Sequence, residues 1–224
     1  MANPRDPYKP DDIKFRDTDK SILDELQRKV EATELKAPRI PMDADRMAVR
    51  TLLKDVMGED PDREGLVDTP SRVVKAMREL TSGHKIDPKT LLSKTFTSNA
   101  DEMVTVSGIE FFSLCEHHLL PFHGFAAVSY IPDGKVVGLS KIPRLVKAFA
   151  RRLQLQEQLT EQIADAMMQY LQPKGVGVRI YDTLHMCQAM RGVESQGKMG
   201  TTAVRGIIKD DQKARQEFLM AVGK

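Results

Sequence analysis

Two short segments concentrate residues able to do chemistry: Cys115-Glu116-His117-His118 and His185-Met186-Cys187. The chain has two cysteines and five histidines, and three of those histidines flank the cysteines. Cys115 and His118 are spaced C-x2-H, a bite that can close on one metal ion if the chain turns between them. His185 and Cys187 are two apart, so on a strand they look to the same side. Two thiolates with imidazole favour zinc over magnesium or calcium, which prefer oxygen. Three protein ligands would leave a position for water, as in a catalytic site, and four would close the site as a structural one. Spacing leaves both open, and leaves open which of His117, His118 and His185 joins the cysteines. The competing reading is that the cysteines are small buried apolar residues. His84 and His123 lie outside the cluster and read as structural or solvent-facing.

The elements that must position these residues fall into two textures. Residues 1–14 read as a mobile tail, with three prolines and three aspartates. Helical periodicity follows from Phe15 to about Lys36, through Ile22, Leu26 and Val30, and again from Asp45 to Met57, with Gly58 after it. Thr69-Pro70 reads as an N-cap and first helical residue, Val73, Met77 and Leu80 as the apolar stripe, and Gly83 as the stop. Beyond Lys94 come short runs rich in β-branched and aromatic residues: Met103–Ser107, Ile109–Leu114, Gly124–Ile131 and Lys135–Leu139, with a turn at Pro132-Asp133-Gly134. Helical periods return over 140–172, with stripes Leu145, Phe149, Leu153 and Leu159, Ile163, Met167. Strands are expected near Val176–Ile180, Thr183–Ala189 and Thr202–Ile208, then a helix near Gln212–Val222. The order predicts an α+β fold, an antiparallel sheet backed by helices. It divides the chain into a tail and helix over 1–40, a helical region over 41–94 and a catalytic region over 95–224.

Composition narrows the function classes. The chain has 224 residues, 41% hydrophobic and 29% charged, which is ordinary for a globular protein. Lys and Arg number 34 against 32 Asp and Glu, a net of +2, which argues against a dedicated nucleic-acid binder. Aromatics are 5% with no Trp, so base-stacking platforms are poorly supported. No apolar run approaches the ~20 residues of a spanning helix, so no membrane role is expected. The first ten residues carry no apolar h-region, and two cysteines make no disulfide framework, so the expected compartment is the cytoplasm.

Longer ordered motifs carry a resemblance. Cys115-Glu116-His117-His118-Leu119-Leu120-Pro121-Phe122, Tyr130-Ile131-Pro132, Gly138-Leu139-Ser140-Lys141-Ile142-Pro143-Arg144, Gln156-Glu157 and His185-x-Cys187 with Arg191-Gly192 resemble GTP cyclohydrolase I. The resemblance covers roughly Asp45 to Leu219. It implies a zinc-dependent enzyme that opens the guanine imidazole ring of GTP at C8, giving formate and 7,8-dihydroneopterin triphosphate, the first step of pterin and folate-type biosynthesis. It also implies the tunnelling fold, in which sheets from several subunits close a barrel, here a homodecamer with sites at subunit interfaces.

Residue by residue, the resemblance implies zinc on Cys115, His118 and Cys187, with water at the fourth position. His117 and His185 would be the catalytic proton donors and acceptors, as suits imidazole near neutral pH. Glu157 would accept hydrogen bonds from the guanine edge, assisted by Gln156. Ser140, Lys141, Arg144, Arg191 and Arg72 would hold the triphosphate. Lys147 and Arg151 lie outside the motifs and read as a solvated basic face. Gln158 stands where the family commonly has Arg. The late stretch Lys198-Met199-Gly200-Thr201-Thr202 is one residue shorter than usual, with Gly200 at a usual hydroxyl position, and no site residue is assigned there. The competing functions are a zinc-stabilised binding or regulatory protein that holds a nucleotide or pterin without turnover, and a nitrile reductase of deazaguanine synthesis. The latter needs a nucleophilic cysteine in another motif.

Overall fold

The computed structural model describes residues 42–223, so the expected tail and the helix over 15–36 lie outside the described residues. The chain divides into two compact units, one ending at Glu59 and one beginning at Asp60. Within the first unit, helix α1 (Met42–Thr51) runs on into a π-helical turn over Leu52–Val56, and Gly58 follows with φ +70°.

The second unit opens with α2 (Thr69–Leu80). Asp68, not Thr69, is the flanking residue, and its carboxylate pairs with Arg72 at 3.0 Å instead of capping. Among the described residues the expected stripe is only partly covered: Met77 and Leu80 are each 37% exposed. Gly83 does not cap α2. It lies in a 3-10 turn (Ser82–Lys85), donates from its N–H to Arg151 O at 2.8 Å, and a Cβ there would collide with Ala148 O. Close backbone approach, rather than helix termination, demands glycine here. Next comes α3 (Pro88–Leu92), capped by Asp87, which accepts from the N–H groups of Lys89 and Thr90.

β1 (Thr95–Thr97) pairs with β4 (Lys135–Val137) in a two-stranded ribbon. The main sheet has the order β5 (Leu153–Gln154), β2 (Val104–Cys115), β3 (Pro121–Ile131), β6 (Gly175–His185), β7 (Met199–Gly206). β2 is one strand, Val104–Cys115, where two were expected. Gly108 at φ +69° forms a bulge between Val106 and Ile109, so the break in pattern is absorbed without breaking the ladder. β3 (Pro121–Ile131), β6 (Gly175–His185) and β7 (Met199–Gly206) continue it antiparallel.

Helix α4 (Lys141–Ala150) and helix α5 (Gln156–Ala166), extended by a π-helical turn to Leu171, back one face of the sheet. Phe111, Phe122, Val128, Leu145, Leu159, Ile163 and Ile180 form the core between them. Burying several such side chains at about 1.5–3 kcal/mol each dominates the stability of this layer. Leu153 does not continue the α4 stripe. It lies on β5 (Leu153–Gln154), which pairs parallel with Leu114 and Cys115. The chain leaves the helix because Gln154 Nε2 donates to Phe149 O at 2.8 Å, tying the turn down. On the other face, α7 (Ile207–Asp210) and α8 (Gln212–Val222) bury Ile208, Phe218 and Val222 against Ala127. The α+β expectation is met. Among the described residues, no helix is long and apolar enough to cross a membrane.

Candidate functional site

Cys115 is the last residue of β2 and is buried. The chain then turns tightly: Leu119 N–H donates to Cys115 O at 2.9 Å, Cys115 N–H donates to Leu120 O at 2.9 Å, and Leu119 takes φ +57°. This turn carries His117 and His118 to the surface with their rings 6.1 Å apart. β5 locks the turn from below, through Glu116 N–H to Gln154 O at 3.2 Å, and delivers Gln156 and Glu157 to the first turn of α5 beside it.

The strand expected over Thr183–Ala189 does not exist as such. β6 ends at His185, and Met186–Ala189 form a helical turn, α6. His185 pairs with Phe122, and the next residue of β3 is Pro121, which has no N–H with which to extend the ladder. His185 and Cys187 are therefore not related by strand alternation, and they do different things. The Cys187 ligand atom comes together with those of Cys115 and His118, all within 4.8 Å of one another. The His185 ring lies flat on Phe122, 4.6 Å between centroids, and its Nε2 meets Gln156 Oε1 at 2.8 Å.

The donor set fits a metal ion. Burial pushes the Cys187 thiol up, and the neighbouring Cys115 pushes it further, so two adjacent thiolates are unfavourable without a cation. A bound dication reverses that balance, and sulfur with imidazole suits a borderline-soft ion. Among the described residues the cluster holds three ligands, and neither His117 nor His185 belongs to it. Arg191 Nη1 lies 3.1 Å from His118 Nε2. Guanidinium only donates, so His118 Nε2 is the acceptor in that contact. Burial also lowers the His185 pKa, with the Glu157 carboxylate opposing it, which keeps the imidazole neutral at physiological pH.

The remaining predicted residues divide by position. Arg191, Gln156 and Glu157 gather at the cysteine end. Ser140 is elsewhere. With Pro143, Lys147 and Glu110 it lines an open depression of about 660 Å³ beside the Val106–Glu110 segment of β2. Glu110 and Cys115 are five residues apart on one strand, hence about 17 Å at roughly 3.4 Å per residue. Lys141 and Arg144 belong to the first turns of α4, on the Ser140 side, whereas the far end of that helix meets the cysteine end, where Ser113 Oγ donates to Arg152 O at 3.4 Å. Arg72 is on α2 with its guanidinium on Asp68. Lys147 is exposed, as expected of a solvated basic face, and lines the same open depression as Ser140.

Sequence reasoning missed Thr160 and Thr201. Thr201 Oγ1 receives Gln156 Nε2 at 3.2 Å and lies 2.6 Å from Thr160 Oγ1. Contacts spanning 45 and 41 residues leave no local signal.

A model of the GTP cyclohydrolase I family matches residues 46–223. The chain belongs to the GTP cyclohydrolase I family. It is 56% identical over 178 residues to the GTP cyclohydrolase 1 of Chlorobaculum tepidum, covering 79% of each chain. It is 55% identical to that of Campylobacter lari, covering 78% of this chain and 92% of that one. Solved structures similar in part include the archaeosine synthase QueF-Like in its apo form, at TM-score 0.40 and 18% identity over 49% of this chain and 96% of that one. Another is Escherichia coli dihydroneopterin aldolase in complex with neopterin, at TM-score 0.38 and 12% identity over 47% and 99%. Family membership makes the protein an enzyme of the GTP cyclohydrolase I type, and the sheet with its backing helices is the tunnelling fold expected of that family.

Proposed function

We propose that the protein hydrolyses the guanine imidazole ring of GTP at C8, releasing formate and forming 7,8-dihydroneopterin triphosphate, with zinc on Cys115, His118 and Cys187 as cofactor. The observation that carries this reading is the convergence of those three ligand atoms within 4.8 Å, beside His185 and Glu157, in a chain of this family. Zinc held by three protein ligands would supply a Lewis acid with a position open to water, whose pKa it would lower towards ~7.

The chain's own residues do the rest. Glu157, exposed in the first turn of α5, accepts from the N1–H and amino edge of guanine, with Gln156 beside it. His185, kept neutral by its surroundings, and His117, on the surface turn, take and return protons at the opening ring. Arg191 supplies a cation at the same end, and Ser140, Lys141 and Arg144, with Arg72, hold the triphosphate.

Ser140 and Cys115 sit toward opposite ends of β2, so one chain does not bring every element to one point. A site completed between subunits resolves this, and a homodecamer is the assembly proposed. The part of the sheet face that α7 and α8 leave exposed supports association. Phe112 is 56% exposed and stacks on His123, while Phe125, 38% exposed, stacks on Tyr181. With the exposed stripe of α2, this leaves apolar surface for partner subunits. The proposed compartment is the cytoplasm, where the thiols stay reduced.

Incubation of zinc-replete protein with GTP, scored for formate and for the fluorescent oxidised pterin, tests the reading. Formate equimolar with pterin is expected. GTP bound without formate would identify a binding protein instead.

A further inference from the structure

We propose that Thr160 and Thr201 are positioning residues that fix which nitrogen of the His185 ring carries its proton, acting through Gln156. The catalytic weight of this inference rests on the reading of His185 as a proton-transfer residue; its geometry does not.

Four contacts link the groups. Thr160 Oγ1 donates to the backbone oxygen of Gln156 at 2.7 Å, and Thr160 Oγ1 and Thr201 Oγ1 are 2.6 Å apart. Gln156 Nε2 meets Thr201 Oγ1 at 3.2 Å, and Gln156 Oε1 meets His185 Nε2 at 2.8 Å. Each hydroxyl has one proton, and a carbonyl oxygen has none. The short contact to the Gln156 carbonyl therefore needs the Thr160 proton, since two oxygens facing lone pair to lone pair would repel. With that proton committed, the contact between hydroxyls must be donated by Thr201. Thr201 can then only accept from Gln156, so it must meet the NH₂ end of the carboxamide. That orientation turns Oε1 toward His185, and His185 Nε2 is the donor. In the neutral ring the lone pair then lies on Nδ1, the nitrogen left to exchange protons with substrate.

The direction of every bond follows from a main-chain carbonyl that cannot reverse. Thr160 and Gln156 are each 1% exposed, so water is kept from the end of the chain that sets its direction, while Thr201 and His185 are half-buried. The same contacts give a role to the late stretch at 198–202, which sequence reasoning left without one.

Solid-state NMR of ¹⁵N-histidine-labelled full-length protein, with the His185 resonances assigned through His185→Asn, reads the tautomer directly. A single form with the proton on Nε2 is expected in the wild type. Thr201→Val should give a mixture of tautomers and a kcat for formate release about tenfold lower, well inside the loss that small misplacement of a catalytic group produces. Thr201→Ser, which keeps the hydroxyl, should restore the single tautomer and most of the rate. A wild-type proton on Nδ1, or a Thr201→Val spectrum identical to wild type, would overturn the proposal. The wild-type spectrum decides even if the valine variant does not fold. The expected spectra without formate from GTP in any form would leave the relay standing and overturn the functional reading instead.

Discussion

Separating metal ligation from proton transfer is the sharpest demand on this site, and the pair Cys187→Ala and His185→Ala makes it. Cys187 is one of three ligand atoms within 4.8 Å, and its loss leaves two. The variant should bind little zinc and show no measurable turnover. His185 is not one of those ligand atoms; its side chain is engaged by Phe122 and Gln156. His185→Ala should therefore retain about one zinc per subunit, as a three-ligand site allows. Its kcat should fall by roughly 10²–10⁴, the contribution typical of a positioned acid–base group. A stability cost should accompany this. Gln156 is 1% exposed, so its Oε1 loses its donor at about 1–3 kcal/mol, and the lost stack on Phe122 adds about 0.5–1.5 kcal/mol. At about 2–4 °C per kcal/mol, the apparent Tm should drop by several degrees. Metal analysis by atomic emission, formate release and a thermal melt read the three effects on the same preparation. A zinc-free His185→Ala protein would refute the ligand assignment, whatever its activity.

Three further outcomes follow from the same geometry. Phe112→Glu, which puts a charge on the exposed aromatic face, should reduce the mass seen by light scattering and formate release together, and dilution of wild type below assembly should do likewise; full activity from a demonstrated monomer would contradict an interface site. Gly83→Ala should cost about 1–3 kcal/mol in denaturant unfolding, because the new Cβ meets main-chain oxygens of Ala148 and Arg151 that cannot rotate away. Asp87→Ala should cost about 1 kcal/mol by removing the cap of α3. Burial raises the Asp87 pKa, but hydrogen bonds from Thr90 and Lys89 outweigh it and hold the folded carboxyl below its ordinary 3.8. The cap's contribution is then full above about pH 4 and is lost as pH falls through the lower folded value, so wild type and variant should converge in strong acid.

Chemistry and local order are legible in the residues alone. The two cysteines and the histidines beside them stand out because ligand type and short spacing are local properties, though spacing does not choose among the histidines and His118 enters only through the resemblance; the C-terminal helix over Gln212–Val222 lies where it is expected. The ordered motifs around them placed the chain in its family. Tertiary structure decided what depends on partners far along the chain. Strand alternation suggested that His185 and Cys187 share a side, but β6 stops where Pro121 ends its neighbour's ladder, and the two residues part. Two runs became one strand because a glycine with positive φ absorbs the extra residue. Gly83 read as a helix stop is held instead by a carbonyl contact with α4. The orientation of His185 depends on hydroxyls up to 45 residues from the glutamine they hold, and only packing brings such groups within hydrogen-bond reach. A hydrogen bond is directional and short, so a local pattern can name its candidate donors and acceptors but cannot choose among them until the fold sets their distances.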